Sequence, residues 1–160
     1  MELVKDIYDA SFITHSGTMH TDDIFSTAFL DLYYKNIKVF RTTTIPKDID
    51  KNVIIYDIGR GKFDHHQEDA KKRENGITYC SFGLLWQEFG KDFLKKRNID
   101  NIEEVFTAFD KDLIEKIIGR KNVDMLFLKY SLKERRAYYK TDSNKTYKII
   151  SICDLSSAID

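Results

Sequence analysis

Cysteine is scarce. The 160-residue chain has two, Cys80 and Cys153, and neither lies in a CxxC or Cys/His cluster. That excludes a disulfide scaffold and argues against a structural thiolate zinc site. Proline occurs once, at Pro46, and glycine seven times. No repeat, low-complexity tract or Gly/Ser linker is present. No apolar run approaches the roughly 20 residues of a membrane span, and Met1–Asp6 lacks the basic-then-apolar pattern of a secretory signal. Net charge is missing too, since 26 Lys+Arg balance 26 Asp+Glu. A wholesale polyanion binder would be basic, although a local basic face is compatible with this average. The remaining 42% hydrophobic and 32% charged residues suit one soluble, cytoplasmic domain with its own core.

The first half alternates short strands with helices. Ser11–Thr14 reads as a strand ending at His15. From Thr21 to Tyr34, Ile24, Phe25, Ala28, Phe29 and Leu32 recur at helical spacing. Residues 36–42 form a second strand. Val53–Tyr56 is a continuous apolar run that suits a strand buried on both faces. It ends at Asp57, and a polar loop runs on to Gly76. A helix follows over Ser81–Lys96, with Leu84, Leu85, Phe89 and Phe93 on one side. This order predicts an α/β domain with a largely parallel sheet flanked by helices. Helices are expected over Ile102–Ile118 and Val123–Tyr139, then a strand over Tyr147–Cys153. The organisation expected is an α/β domain over 1–118. A mainly helical, basic segment over 119–160 would belong to it or be a truncated second domain.

All four histidines fall in two clusters. His15 and His20 sit in Thr14-His15-Ser16-Gly17-Thr18-Met19-His20-Thr21-Asp22-Asp23, and the other two in Phe63-Asp64-His65-His66-Gln67. Both clusters follow a strand end, and Asp57 closes a third strand. In open α/β sheets, ligands bind outside the carboxyl ends of strands. Taken singly, a His-His pair reads as loop polarity, and Asp22-Asp23 as acids at a helix start. Together they read as a metal site. Imidazole and carboxylate suit divalent first-row ions, and a cation relieves the repulsion among crowded carboxylates. The candidates exceed what one ion needs, so two ions sharing a carboxylate are expected, with Asp57 as the bridge. Manganese matches the mixed set, with magnesium or cobalt as alternatives.

These motifs, in this order, with Tyr56-Asp57-Ile58-Gly59, Arg73-Glu74-Asn75-Gly76 and Phe82-Gly83-Leu84-Leu85-Trp86, resemble the Myg-type (melanocyte-proliferating-gene) family. It is a branch of the DHH phosphoesterase superfamily, and the resemblance runs from about Ser11 to Gly90. It implies a DHH-type domain with two divalent ions, usually manganese, and phosphodiester or phosphoanhydride hydrolysis. A 3′–5′ RNA exonuclease activity is described for the eukaryotic branch. By motif, His15 and His20 would hold one metal, Asp22 and His65 the other, and Asp57 would bridge. His66 would face the scissile phosphate as a catalytic group with Asp57, and Asp64 would orient the histidines, with Asp23 in a similar supporting place. The chain departs from the family where a further metal-binding aspartate is expected after Phe109–Ile117. There it reads Ile118-Gly119-Arg120-Lys121-Asn122, leaving Asp110, Asp112 and Asp124 as substitutes. Asp154–Asp160 looks like the start of further family sequence.

If the site is complete, the expected reaction is metal-assisted phosphoryl transfer to water, with His66 donating to a phosphoryl or leaving oxygen. Arg73 would clamp a phosphate, unless it is a solvated loop residue beside Lys71 and Lys72. Between Lys129 and Lys148, seven basic residues stand against two acidic, interleaved with Tyr130, Tyr138, Tyr139 and Tyr147. That suits single-stranded nucleic acid, or a solvated helix face with tyrosines packed inward. The amides of Ser81-Phe82-Gly83 could receive an anion, and Cys80 reads as an inert core thiol. The substrate expected is RNA or a short oligonucleotide, with no membrane and with homodimer formation open. Rival readings are a small-molecule phosphohydrolase, acting on pyrophosphate or a cyclic dinucleotide, and a non-catalytic remnant that binds metal or a partner.

Overall fold

The computed structural model describes residues 1–118, together with the backbone of 129–131, 136–140 and 146–148. The chain divides into two compact units, 1–119 and 120–160.

In the first unit, β1 (Glu2–Leu3), β2 (Phe12–His15), β3 (Lys38–Thr42) and β4 (Ile54–Ile55) form one sheet in the order β1-β3-β2-β4. Every pairing is parallel. β2 is central, with Ile13 opposite Phe40 on one side and Ile55 on the other. Its Phe12, Ile13 and Thr14 are buried, as a covered parallel strand requires. β1 was not expected from the sequence, because two residues offer no periodicity to read. The run at Val53–Tyr56 is corrected in one respect. β4 lies at the sheet edge with Ile54 and Ile55 half-buried, because apolar continuity cannot specify lateral neighbours.

α1 (Thr21–Tyr34) and α2 (Ser81–Lys96) have the bounds their spacing predicts. α3 (Ile102–Phe109) continues through a π-helical turn, Asp110–Ile114, into α4 (Glu115–Ile118). The helix expected over Ile102–Ile118 therefore carries one wide turn. An aromatic core joins α1, α2 and α3. Phe29 meets Phe82, Trp86 and Phe93 at centroid separations of 5.8, 5.6 and 5.2 Å. Trp86 stacks on Phe106 at 5.6 Å, and its indole N–H donates to the Phe106 carbonyl at 3.1 Å. The buried polar end of the tryptophan is thus satisfied. This core fixes where α2 begins, and α2's first turn faces the ends of β2 and β4.

In the second unit, β5 (Lys129–Ser131), β6 (Arg136–Lys140) and β7 (Thr146–Lys148) form an antiparallel sheet in the order β5-β6-β7. This corrects the helix expected over Val123–Tyr139 where its residues are described, at Lys129–Ser131 and Arg136–Lys140. The described stretches are strands, and Tyr130, Tyr138, Tyr139 and Tyr147 are residues that favour strands. The expected strand from Tyr147 begins inside β7; its remainder, Cys153 and the side chains of the basic stretch lie outside the described residues. No helix among the described residues is long and apolar enough to cross a membrane.

Gly90 is where this packing is most demanding. A β-carbon there would stand 2.7 Å from Trp86 Cδ2, and Trp86 is fully buried. Gly→Ala in a helix ordinarily stabilises by about 1 kcal/mol. Here overpacking of a rigid ring opposes it with about 1–3 kcal/mol. Gly90→Ala is therefore expected to lower the thermal midpoint, read by circular dichroism. A midpoint raised by several degrees would refute the close approach.

Candidate metal centre

Three strand or loop ends and two helix starts converge beyond the carboxyl ends of β2 and β4. His15 is the last residue of β2. Arg41, opposite Thr14 in the register, secures the loop that follows. Its Nε donates to the His15 carbonyl at 3.1 Å and its Nη2 to that of Gly17 at 3.0 Å. Gly17 has φ +93°, a conformation natural to glycine. The loop delivers His20 to the N-cap of α1, where its ring makes no capping bond. Beneath it, the buried Thr27 hydroxyl donates to the Asp23 carbonyl at 2.6 Å and lies 2.6 Å from the Tyr56 hydroxyl. The start of α1 is thereby tied to the end of β4.

Asp57 leaves β4 in the left-handed region, φ +57°, which is uncommon for a residue with a side chain. The turn after it is compact. The Asp57 amide donates to the Phe63 carbonyl at 3.0 Å, and a β-carbon on Gly59, itself at φ +89°, would strike Ile45 at 2.6 Å. The turn aims the two oxygens of Asp57, 4% exposed, in different directions. Oδ2 is 3.3 Å from His15 Nε2. Oδ1 is 3.4 Å from His65 Nδ1 and 3.8 Å from His66 Nδ1.

Two groups of metal-competent atoms result, and Asp57 belongs to both. His15, His20, Asp23 and Asp57 place ligand atoms within 4.8 Å of one another, as do Asp57, Asp64, His65 and His66. Asp22 reaches the second side, with Oδ2 3.5 Å from His65 Nδ1. All the histidines and acidic residues singled out in the first half of the sequence thus come together. Their placements differ in detail from the expectation. Asp23, expected in support, has its carboxylate in the first group, with Oδ2 2.8 Å from His15 Nε2. Asp64 serves one histidine only. Its Oδ1 lies 2.6 Å from His66 Nδ1, and its Oδ2 accepts the Arg60 amide at 2.7 Å.

The first group shows that the residues fit a cation. His15 Nδ1 lies 2.9 Å from the Ser16 carbonyl, which can only accept, so Nδ1 carries the hydrogen. In the neutral ring Nε2 is then a lone pair. It faces Asp23 Oδ2, and both atoms are buried without a hydrogen-bond partner. Two acceptors 2.8 Å apart repel unless positive charge lies between or beside them. Ligand atoms sharing one ion at bonds of about 2.1 Å stand about 3.0 Å apart, and His15 Nε2 lies 2.8 Å from Asp23 Oδ2 and 3.3 Å from Asp57 Oδ2.

The electrostatics agree. Burial pushes the Asp57 carboxyl up to about 6, with the nearby Asp22 charge adding to the effect. Burial likewise raises Asp22 and Asp23. His65 is lowered, burial outweighing the attraction of Asp57. Burial also works against a charged His66, but its hydrogen bond to Asp64 prevails and raises it. Asp64 is correspondingly lowered, its hydrogen bonds with His66 and the Arg60 amide overcoming burial. The outcome is a hydrogen-bonded His66–Asp64 pair at the rim, where the His66 side chain is 58% exposed.

Three further contributors lie around these groups, of which only the α2 amides were singled out in the sequence. α2 presents its first two amides to Asp22: Ser81 N–H donates to Oδ2 at 2.8 Å and Phe82 N–H to Oδ1 at 2.7 Å. The anion expected at this helix start is therefore the chain's own carboxylate. The Ser81 hydroxyl and Arg41 reach the site through long-range register, which leaves no local signal. Arg73 was expected at a phosphate, and the structure places it otherwise. Its Nε and Nη2 hold Asp110 bidentately at 2.8 and 2.6 Å. Nη1 donates to the Thr78 carbonyl at 3.1 Å, and the guanidinium lies 4.0 Å from the Tyr79 ring centroid. The forked face that would grip a phosphate is taken by a carboxylate. Asp110, a candidate for the missing aspartate, is committed to the same pair. Asp112 is exposed and outside both groups, and Asp124 lies outside the described residues. Cys80 is buried, its Sγ 3.4 Å from the Gly83 amide that it caps.

The model of the family MYG1_exonuc, described as an uncharacterised protein family (UPF0160), matches residues 11–152. The "MYG1 protein" of Dictyostelium discoideum is 29% identical over 128 residues, covering 71% of this chain. The chain spans only 39% of the length of that relative. No solved structure matches the chain.

Two outcomes are expected. Between the ordinary carboxylate value of 3.8 and about 6, the ion-free native state holds protons on Asp57 that the unfolded chain has released. This group's contribution to stability therefore falls as pH rises through that window. A divalent ion competes for the same oxygens, so manganese should raise the thermal midpoint more at pH 7.5 than at pH 5. An equal rise at both would contradict this. Separately, Arg73→Ala strands a carboxylate that is largely buried and should cost about 3 kcal/mol in denaturant unfolding. A loss below about 0.5 kcal/mol would mean the pair is solvated.

Proposed function

The chain belongs to the MYG1_exonuc family, and on that premise we propose that its two imidazole–carboxylate groups form a two-ion centre that hydrolyses phosphodiester bonds. The reading extends to exonucleolytic release from the 3′ end of RNA or short oligonucleotides, and to membership of the DHH superfamily. One observation carries it: a single buried carboxylate, Asp57, divides its oxygens between two sets of ligand atoms. In this reading His15, His20, Asp23 and Asp57 hold one ion, and Asp22, Asp57 and His65 the other. Manganese suits such a mixed nitrogen and oxygen set, with magnesium or cobalt able to substitute.

Bound there, divalent ions supply charge neutralisation at the phosphoryl oxygens and a lowered pKa for the attacking water. The protein's own part is positional. Asp57 spans the two sites from a rigid turn. Asp22 is held by the α2 amides and Asp23 by the start of its own helix, where Oδ1 accepts the Ile24 amide at 3.1 Å. His66 is oriented by Asp64 at 2.6 Å, a hydrogen bond that also favours its charged form. From the exposed rim it donates a hydrogen bond to a non-bridging oxygen, or a proton to the leaving oxygen.

The test is manganese stoichiometry by equilibrium dialysis on the wild type, Asp57→Asn and His65→Ala, with release of nucleotides from 5′-labelled RNA followed in the same samples. The expected result is about two ions per chain in the wild type. Asp57→Asn should weaken both sites, and His65→Ala one of them, with turnover lost in each. Wild-type protein that binds no ion would overturn the proposal, as would turnover that survives Asp57→Asn.

A further inference from the structure

We infer that Ser81 is a positioning residue of the centre, holding the Asp22, Asp57 and His65 side in place from the first residue of α2. The inference rests on the two-ion reading above and concerns how that side is kept distinct from the His15 side.

Ser81 is fully buried, 0% exposed, and opens a 16-residue helix. A serine there would usually be spent on the helix itself. At the N-cap it would accept an amide of its own first turn, but here the cap is Cys80. The Ser81 hydroxyl is instead turned toward the clustered ligands. Oγ donates to Asp57 Oδ1 at 3.0 Å and lies 3.3 Å from His65 Nδ1. Its backbone N–H, together with that of Phe82, grips Asp22. One residue thus touches three of the groups on that side.

The direction of the bond follows from the partners. An ionised carboxylate only accepts, so the single hydroxyl hydrogen goes to Asp57 and a hydroxyl lone pair is left toward His65. The bond engages Oδ1 alone. Asp57 Oδ2, on the His15 side, has no such partner. Ser81 therefore differentiates the two oxygens of the bridging carboxylate. It restrains the Asp57 rotamer from the side where α2 is anchored by the Trp86 core. Groups that hold metal ligands in this way commonly contribute 10–100-fold to affinity.

The test is isothermal titration of manganese into full-length wild type and Ser81→Ala, with the ion-free thermal midpoint of each. Alanine is smaller, accepts the helical backbone and retains the amide bond to Asp22, so the fold is kept, and the ion-free midpoint should fall modestly because Asp57 loses its hydroxyl partner. The expected result is two classes of ion in the wild type. In Ser81→Ala one class should keep its affinity while the other weakens by about 10–100-fold. Two classes in the wild type, with neither affinity changed in the variant, would overturn the role of Ser81 alone. Equal weakening of both would mean the hydroxyl merely supports the fold. A wild type that binds no ion defeats the two-ion reading itself, and the inference with it.

Discussion

Four buried carboxylates at one end of a small sheet are the constraint to which the rest of the unit answers. Asp22, Asp23, Asp57 and Asp64 are 7%, 0%, 4% and 3% exposed. An ionised carboxylate taken from water costs several kcal/mol unless it is paired or hydrogen-bonded. Each of the four is dealt with differently. Asp22 receives two helix-start amides, Asp64 the His66 ring and two amides, and Asp57 one hydroxyl. Asp23 keeps one oxygen without a hydrogen-bond partner, facing an equally unpartnered nitrogen of His15. The compensation is thus nearly complete at Asp22 and Asp64 and incomplete where Asp57 and Asp23 meet His15. That gradient locates the need for a cation more sharply than the count of acidic residues does.

The aromatic core acts on the site through α2. The amides of Ser81 and Phe82 meet Asp22 only if the helix starts at a fixed height above the sheet. Phe82, Trp86 and Phe93, packed on Phe29, set that height. Gly83 lets the first turn approach closely, since a β-carbon there would lie 3.1–3.3 Å from Tyr79, Arg73 and Ile114. The Arg73–Asp110 pair closes the same region from the other side, with Asp110 opening the π-helical turn. π turns recur where a helix is adjusted to a site. Here the adjustment serves an ion pair that braces the start of α2. The arginine that looked like a phosphate ligand in the sequence is a structural brace.

The helices were legible because α1, α2 and the α3–α4 run repeat apolar residues often enough for the 3.6-residue period to stand out. The converging motifs were legible for another reason. His15 ends β2 and Asp57 follows β4, so topology brings both to one crevice, and the loop after Asp57 returns His65 to it. What could not be read was lateral. Nothing local says that β4 is the edge, that Arg41 lies beside Thr14, or that Ser81 stands across from Asp57. The parts played by Asp64 and Asp23 were also out of reach. Which of two adjacent acids faces an imidazole depends on a helix phase known only once Thr27 and Tyr56 are seen to lock it. The tyrosine-rich stretch misled because basic residues interleaved with tyrosines fit a helix face and a strand equally well, and the aromatic preference for strands decided it.

The centre is also graded from inside to outside. Its carboxylates are buried and held by strand ends and helix starts, while two of its imidazoles, His20 and His66, are exposed on loop-borne positions. A group at the bottom, restrained by several bonds, has little freedom to follow a reacting molecule. One at the rim can move, and His66 keeps a fixed tether to Asp64 while doing so. Preorganisation matters most where charge must be stabilised, because reorienting dipoles during a reaction costs free energy that fixed ones do not. Adaptability is tolerable only where a proton or hydrogen bond is handed over. The distribution of carboxylates inward and imidazoles outward matches that division. It leaves the histidine-lined rim, and not the helix start already filled by Asp22, as the open side of the cluster.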